Sequence, residues 1–267
     1  MSRSEKFKKK GYVMPEHVLY TVPFSPPGWM ECLFLGLLIV MPYYTIRLPK
    51  DFPLTRVSVT VLSLLLIYFS LLGGKILYIV LQNAAFSKAP PIESGEGFAD
   101  HGLAYLGSII GQILCVVGVC KIRKNRISAL AVADYIFPYM MLIQVFVRMG
   151  CFFNECCYGK PTDLPWGVVF STVSAEPRHP TQIYSMIFLA VIFVLLRMLY
   201  KKKPPAGVVF FSTFALYGFF RFFVEFLRVD SILVYKGLTL AQTVLASMFF
   251  VCLISAAVLV LKAKEQK

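Results

Sequence analysis

The 267-residue chain is 58% hydrophobic, with a mean hydropathy of +0.70 and only 15% charged residues. That composition excludes a soluble globular domain and a disordered chain, and places most of the sequence in lipid. The net charge of +13 does not call for nucleic acid, because the basic residues gather at the ends of apolar runs, where they set topology and attract anionic headgroups.

In chain order, residues 1–28 form a polar, Pro-rich N-terminal segment without the short apolar core of a cleavable signal peptide. The first apolar run is Trp29–Ile46, barely long enough to cross a bilayer, with Glu31 near its start. The second, 57–86, is too long for one upright crossing. It reads as a tilted helix over 57–81, with Lys75 of Gly73-Gly74-Lys75 turned inward or snorkelling. An acidic loop at 88–100 follows. The third run, 102–120, carries Gly107, Ser108 and Gly111, small residues that let helices approach closely, and stops at KIRKNR. The fourth, 127–153, has Asp134 near its start and Arg148 near its end; a polar loop follows, to about Arg178. Runs at 182–200, 207–226 and 238–261 complete seven spans.

The expected architecture is an all-α polytopic integral membrane protein of about seven transmembrane helices. A membrane domain spans 29–262, an extracytoplasmic segment protrudes at about 154–178, and a tail follows at 263–267. No sheet is expected beyond a strand-like piece in PWGVVF, 165–170. The basic ends KIRKNR, RMLYKKK and KAKEQK fall on one face if the later runs alternate, which puts the C-terminus in the cytoplasm. The N-terminal SRSEKFKKK disagrees, since seven spans place it outside. The seven cysteines sit mostly in apolar runs and form no evident disulfide framework.

The densest chemistry lies at 146–161, FVRMGCFFNECCYGKP, where an apolar run meets Arg148 and then a turn rich in Gly and Cys. Burying Arg148 costs several kcal/mol unless it faces a partner or a polar cavity; the plainer reading is an interfacial anchor. A second cluster is YGFFRFFVEFLR, in which Tyr217, Arg221, Glu225 and Arg228 recur at helical spacing and share a face. Here the plain reading is an Arg221–Glu225 pair that neutralises itself. A third is RHPTQIYS, where His179 on its own reads as a loop residue. Cys151, Cys156 and Cys157 suggest either a thiol nucleophile or reversible disulfide, or small residues that pack well in a tight turn.

RMGCFFNECCYGKPT, RHPTQIYS and YGFFRFFVEFLR, in that order, resemble prolipoprotein diacylglyceryl transferases of the bacterial cytoplasmic membrane. The likeness covers roughly 57–250, with weaker echoes at Gly73-Gly74-Lys75, Gly107, Asp134, Pro138 and Gln242. It implies a multi-pass enzyme that moves the diacylglyceryl group of phosphatidylglycerol to the lipobox cysteine of preprolipoproteins, with release of glycerol phosphate. Under the resemblance, Arg148 and Arg221 are the essential arginines, with Glu225 as a third catalytic group. Tyr217, Asn154, Gln182, Tyr184, His179 and Arg228 are then substrate-binding positions, with Gly150 and Gly159 shaping the turn.

Two guanidinium groups suit this chemistry, because they hold phosphate oxygens by forked hydrogen bonds in a low-dielectric site. The acceptor thiol must also lose a proton; Glu225, Glu155 and His179 are candidates. No metal motif is evident, and the reaction needs no cofactor. The sequence departs from the family pattern at Leu106, where a histidine or tyrosine is usual, and by Cys151, Glu155 and Cys156 in the turn. These departures keep open a related transferase with another acceptor, or a non-catalytic phospholipid-binding membrane protein.

Overall fold

The computed structural model describes residues 28–83, 104–122, 128–228, 233–235 and 238–266. The N-terminal segment, the 88–100 loop with His101, and the basic stretch after Ile122 lie outside them. The described residues form seven helices: α1 Trp29–Ile46, α2 Arg56–Asn83, α3 Ala104–Ile122, α4 Ala129–Phe153, α5 Thr181–Lys201, α6 Val208–Phe226 and α7 Leu240–Glu265. Six are long and apolar enough to cross a bilayer, and the seventh, α3, is apolar over Gly107–Ile122. The protein is thus all-α and polytopic.

The second run forms a helix of 28 residues, about 42 Å long against a hydrocarbon core of about 30 Å. Lys75 is exposed on it, so its side chain does not turn inward. Among the described residues, two small antiparallel ribbons modify the sheet-free expectation. β1 Val168–Val169, inside the strand-like piece, pairs with β2 Pro177–Arg178 beyond it, and β3 Leu233–Tyr235 pairs with β4 Leu238–Thr239. The second ribbon was not expected; its β-branched and aromatic residues suit a pleated backbone.

α4 and α6 are the inner helices: 61% and 56% of their apolar windows are buried, against 17% in α5 and α7, whose outer faces present apolar side chains. α2 and α3 pack as a close pair. A Cβ at Gly111 would collide with the Phe69 carbonyl, and one at Gly107 with the Gly73 carbonyl, so the two backbones touch where side chains are missing. At the N-terminal end of α4 a tyrosine cluster binds the elements together. Tyr135 donates from its hydroxyl to the Tyr44 carbonyl (2.6 Å), Tyr44 bonds Ser63, and Arg197 stands over the Tyr139 ring at 4.9 Å and the Tyr200 ring at 5.1 Å.

α6 begins on a carboxylate supplied by α4. Asp134, 4% exposed, accepts from the backbone N–H of Gly207 (2.6 Å) and of Phe210 (2.7 Å). The first amides of a helix have no partner within it and carry the positive end of its dipole. Gly207 adopts φ +99°, a region open chiefly to glycine, and so turns its own N–H onto that carboxylate.

Replacing Asp134 with Ala leaves two buried amides without acceptors and is expected to cost about 3 kcal/mol. Asp134→Asn, which keeps one acceptor oxygen, should lose about half as much; thermal unfolding in detergent measures both. Gly111→Leu should force α2 and α3 apart and lower the melting temperature further than Gly118→Leu, since nothing lies within 4 Å of a Cβ at Gly118.

Candidate active site

Three helices line one cleft. α4 gives Gln144 and Arg148, one turn apart; α5 gives Ser185, Phe188, Leu189 and Ile192; α6 gives Tyr217, Phe220, Arg221 and Val224. Spacings of three, four and seven put each set on one stripe of its helix. The cleft holds about 360 Å³ of empty space including its mouth. Phe188 stacks on Phe220 with ring centres 4.7 Å apart, which makes one wall aromatic.

The two arginines have different surroundings. Arg221 Nη2 lies 2.7 Å from Glu225 Oε2, with the side chains 11% and 6% exposed, while Nη1 is buried without a hydrogen-bond partner. Among the described residues no carboxylate lies within ion-pairing distance of Arg148. Its electrostatic neighbours are the thiols of Cys151, Cys156 and Cys157 and the Tyr217 hydroxyl. A buried guanidinium N–H without an acceptor is costly, and one carboxylate cannot balance two cations. The cleft therefore carries net positive charge and an unmet donor, a combination that favours an anion.

Beyond α4 the chain turns sharply. Asn154 ends the helix, its backbone N–H donating to the Gly150 carbonyl (2.9 Å). Glu155 and Cys157 then take left-handed backbone angles, φ 51° and 59°, which non-glycine residues hold only when their surroundings fix them. The Glu155 carboxylate accepts from Ser171 Oγ (3.1 Å) and from Thr172 N (2.7 Å) and Oγ1. Gln182 donates from Nε2 to the Cys156 carbonyl (2.6 Å), and Thr181 donates from its hydroxyl to the Cys157 carbonyl. Gly159 N–H donates to His179 O (2.9 Å) and Lys160 N–H to Leu227 O (2.7 Å). A Cβ at Gly159 would stand 2.6 Å from the His179 Cβ, so only glycine lets these strands of chain meet.

His179 Nδ1 lies 3.2 Å from the Tyr184 hydroxyl, which accepts from Trp166 Nε1 (2.8 Å). Partial burial lowers the His179 pKa and favours the neutral ring. Cys157 is pushed well below the ordinary thiol range, first by the Cys151 and Cys156 thiols that hydrogen-bond it, then by the Arg228 and Arg148 cations. Those thiol contacts push Cys156 the opposite way.

The cleft thus gathers Arg148, Tyr217 and Arg221 from the sequence-derived set. Glu225 is not among its lining residues but is paired to Arg221. Asn154, Gln182, Tyr184, His179 and Arg228 lie in or around the turn, and none lines the cleft. Gln144 and Ser185 were not anticipated, although Gln144 stands one turn before Arg148 and Ser185 closes the RHPTQIYS block.

The family model described as prolipoprotein diacylglyceryl transferase matches residues 29–260. Among similar proteins are phosphatidylglycerol–prolipoprotein diacylglyceryl transferases of three bacteria. That of Geobacter sulfurreducens is 32% identical over 209 residues, 75% of this chain and 79% of that protein. That of Nitrosomonas europaea is 31% identical over 202 residues, 75% and 72% of the two chains. That of Clostridium tetani is 40% identical over 164 residues, 60% and 64%. With a match that runs from the first residue of α1 into α7, the chain belongs to the prolipoprotein diacylglyceryl transferase family.

Proposed function

We propose that this chain transfers the diacylglyceryl group of phosphatidylglycerol to the lipobox cysteine thiol of preprolipoproteins, and that Arg148 and Arg221 hold the phosphate. The observation that carries the reading is their meeting in one cleft with net positive charge and a buried, unpartnered Arg221 Nη1. In the reaction the bond between a glyceryl carbon and a phosphate oxygen breaks, a carbon–sulfur bond forms, and glycerol phosphate departs. Negative charge grows on the phosphate as it leaves, so preorganised guanidinium donors lower the barrier in a site that excludes water. Phe188, Phe220, Leu189 and Ile192 offer the glyceryl and acyl carbons an apolar wall.

Glu225 acts through Arg221 as a positioning residue, holding Nη2 so that Nη1 points at the ligand. Neither carboxylate nor imidazole lines the cleft among the described residues, and Glu155 and His179 are engaged elsewhere. The acceptor thiol, with an ordinary pKa of about 8.5, therefore ionises under the field of the two cations, which favours the thiolate, and its proton passes to solvent. The basic ends at Lys121, Lys201 and Lys262 support a multi-pass location in the bacterial cytoplasmic membrane with the C-terminus inside.

Transfer of labelled diacylglyceryl from phosphatidylglycerol to a lipobox peptide by the purified protein tests this. Arg148→Ala and Arg221→Ala should each lower the rate at least about a hundredfold; the melting temperature should be unchanged or raised in Arg148→Ala and lowered in Arg221→Ala, which leaves the buried Glu225 carboxylate without its cation. Full activity in either variant removes the clamp. Glu225→Gln should fall between wild type and Arg221→Ala, and its loss should show in kcat more than in KM.

A further inference from the structure

The turn after α4 brings together three cysteines that the proposed transfer does not use. The Sγ atoms of Cys151, Cys156 and Cys157 all lie within 4.8 Å of one another, and every cysteine among the described residues is a free thiol. We propose that these three thiols form a three-coordinate binding site for a soft, thiophilic cation, Cu(I) in particular.

Sequence spacing did not mark such a site, because Cys156 and Cys157 are neighbours and successive side chains of a regular element point apart. The left-handed angle at Cys157, φ 59°, removes that obstacle and swings its thiol toward the other two. The conformation is strained, and it is held from outside by Gln182 on the Cys156 carbonyl and Thr181 on the Cys157 carbonyl. The thiols are thus positioned before any ion arrives. A trigonal site with metal–sulfur bonds of about 2.3 Å sets its sulfurs about 4 Å apart, so only a small contraction is needed.

Donor type selects the ion. No histidine or carboxylate joins the group, and a set of thiolates alone suits Cu(I), whereas structural zinc takes four ligands. Charge supports the same choice. Three thiolates around Cu(I) leave two negative charges, and two guanidinium groups, Arg148 and Arg228, already act on Cys157. The remaining S–H protons go to solvent as three S–Cu bonds form, with no change of oxidation state. Cys156 is half-exposed while Cys151 and Cys157 are buried, so the ion has one accessible ligand at which to enter.

The test titrates the reduced, full-length protein in detergent under argon with Cu(I) as its acetonitrile complex, against a chromophoric Cu(I) chelator. One equivalent should bind, with thiolate-to-copper absorption in the near ultraviolet. Cys156→Ser and Cys157→Ser should each weaken binding by more than about a hundredfold, beyond the effect of losing a residue that merely supports a ligand. Cys115→Ser, in α3, should leave it unchanged. Cys156 is the least buried of the three, so its variant keeps the test readable if Cys157→Ser fails to fold. Binding that survives Cys156→Ser and Cys157→Ser overturns the site; Zn(II) held as tightly as Cu(I) overturns the choice of ion. Because the readout is metal binding, the outcome is independent of whether the transfer chemistry is assigned correctly.

Discussion

The Asp134 carboxylate on the first amides of α6 is the contact from which the geometry of the cleft follows. Arg148 lies fourteen residues beyond Asp134 on α4, and Arg221 lies fourteen residues beyond Gly207 at the head of α6. Each interval rises about 21 Å at 1.5 Å per residue. Since both helices leave the clasp in the same direction, the two guanidinium groups arrive at one level and face one cavity. A buried carboxylate pairing with a helix terminus is costly to place in a membrane and correspondingly hard to displace. It sets the register of two helices that have no short loop between them.

Above the clasp, the turn after α4 does the equivalent work at the other end. It touches the start of α5 through the Thr181 and Gln182 side chains and the end of α6 through the Leu227 carbonyl, so the three helices that line the cleft are tied at their upper ends by hydrogen bonds to the backbone of the turn. The left-handed residues there are compensated by the Glu155 carboxylate and by the amide of Gln182. Arg221 is bonded from its own helix by Glu225, whereas Arg148 has thiols and a tyrosine hydroxyl around it. The two cations are therefore held to different degrees, one fixed and one dependent on what enters.

Much of this was legible in the sequence, and the limits have physical causes. The bounds of α1 were read residue for residue, because its apolar run is closed by charged and proline-containing stretches. Tyr217, Arg221, Glu225 and Arg228 were placed on one helix face by period alone; the first three lie on α6, whereas Arg228 falls beyond its end at Phe226 and pairs as an isolated bridge with Gly159, and Arg148 stood out as a cation in an apolar run. Gln144 and Ser185 escaped notice because a polar residue gains meaning only from the rotation of its helix, which packing decides. The Asp134 clasp joins positions 73 residues apart, beyond any local pattern. The role of Glu155 depends on a backbone angle that composition does not encode, and so does the meeting of the three thiols. The β3–β4 ribbon was missed for a related reason, since five residues of strand carry too little alternation to stand out from an apolar neighbourhood.

Both arginines stand five residues before the ends of their helices, Phe153 and Phe226, about 7–8 Å short of them. On the proposed chemistry the donor phosphate must sink by that depth, below the plane its neighbours occupy, to be gripped. The lipid then arrives sideways between helices with its tails still in the bilayer, while the severed headgroup, small and doubly charged, has no place in oil and must rise toward water past the turn. One substrate is thus split between two solvents at the point of reaction, and the products separate by leaving through different media. Return of the headgroup would require a hydrated dianion to shed its water before it reached the cations again, so its hydration outside adds to the driving force of the transfer a contribution that the bond energies alone do not supply.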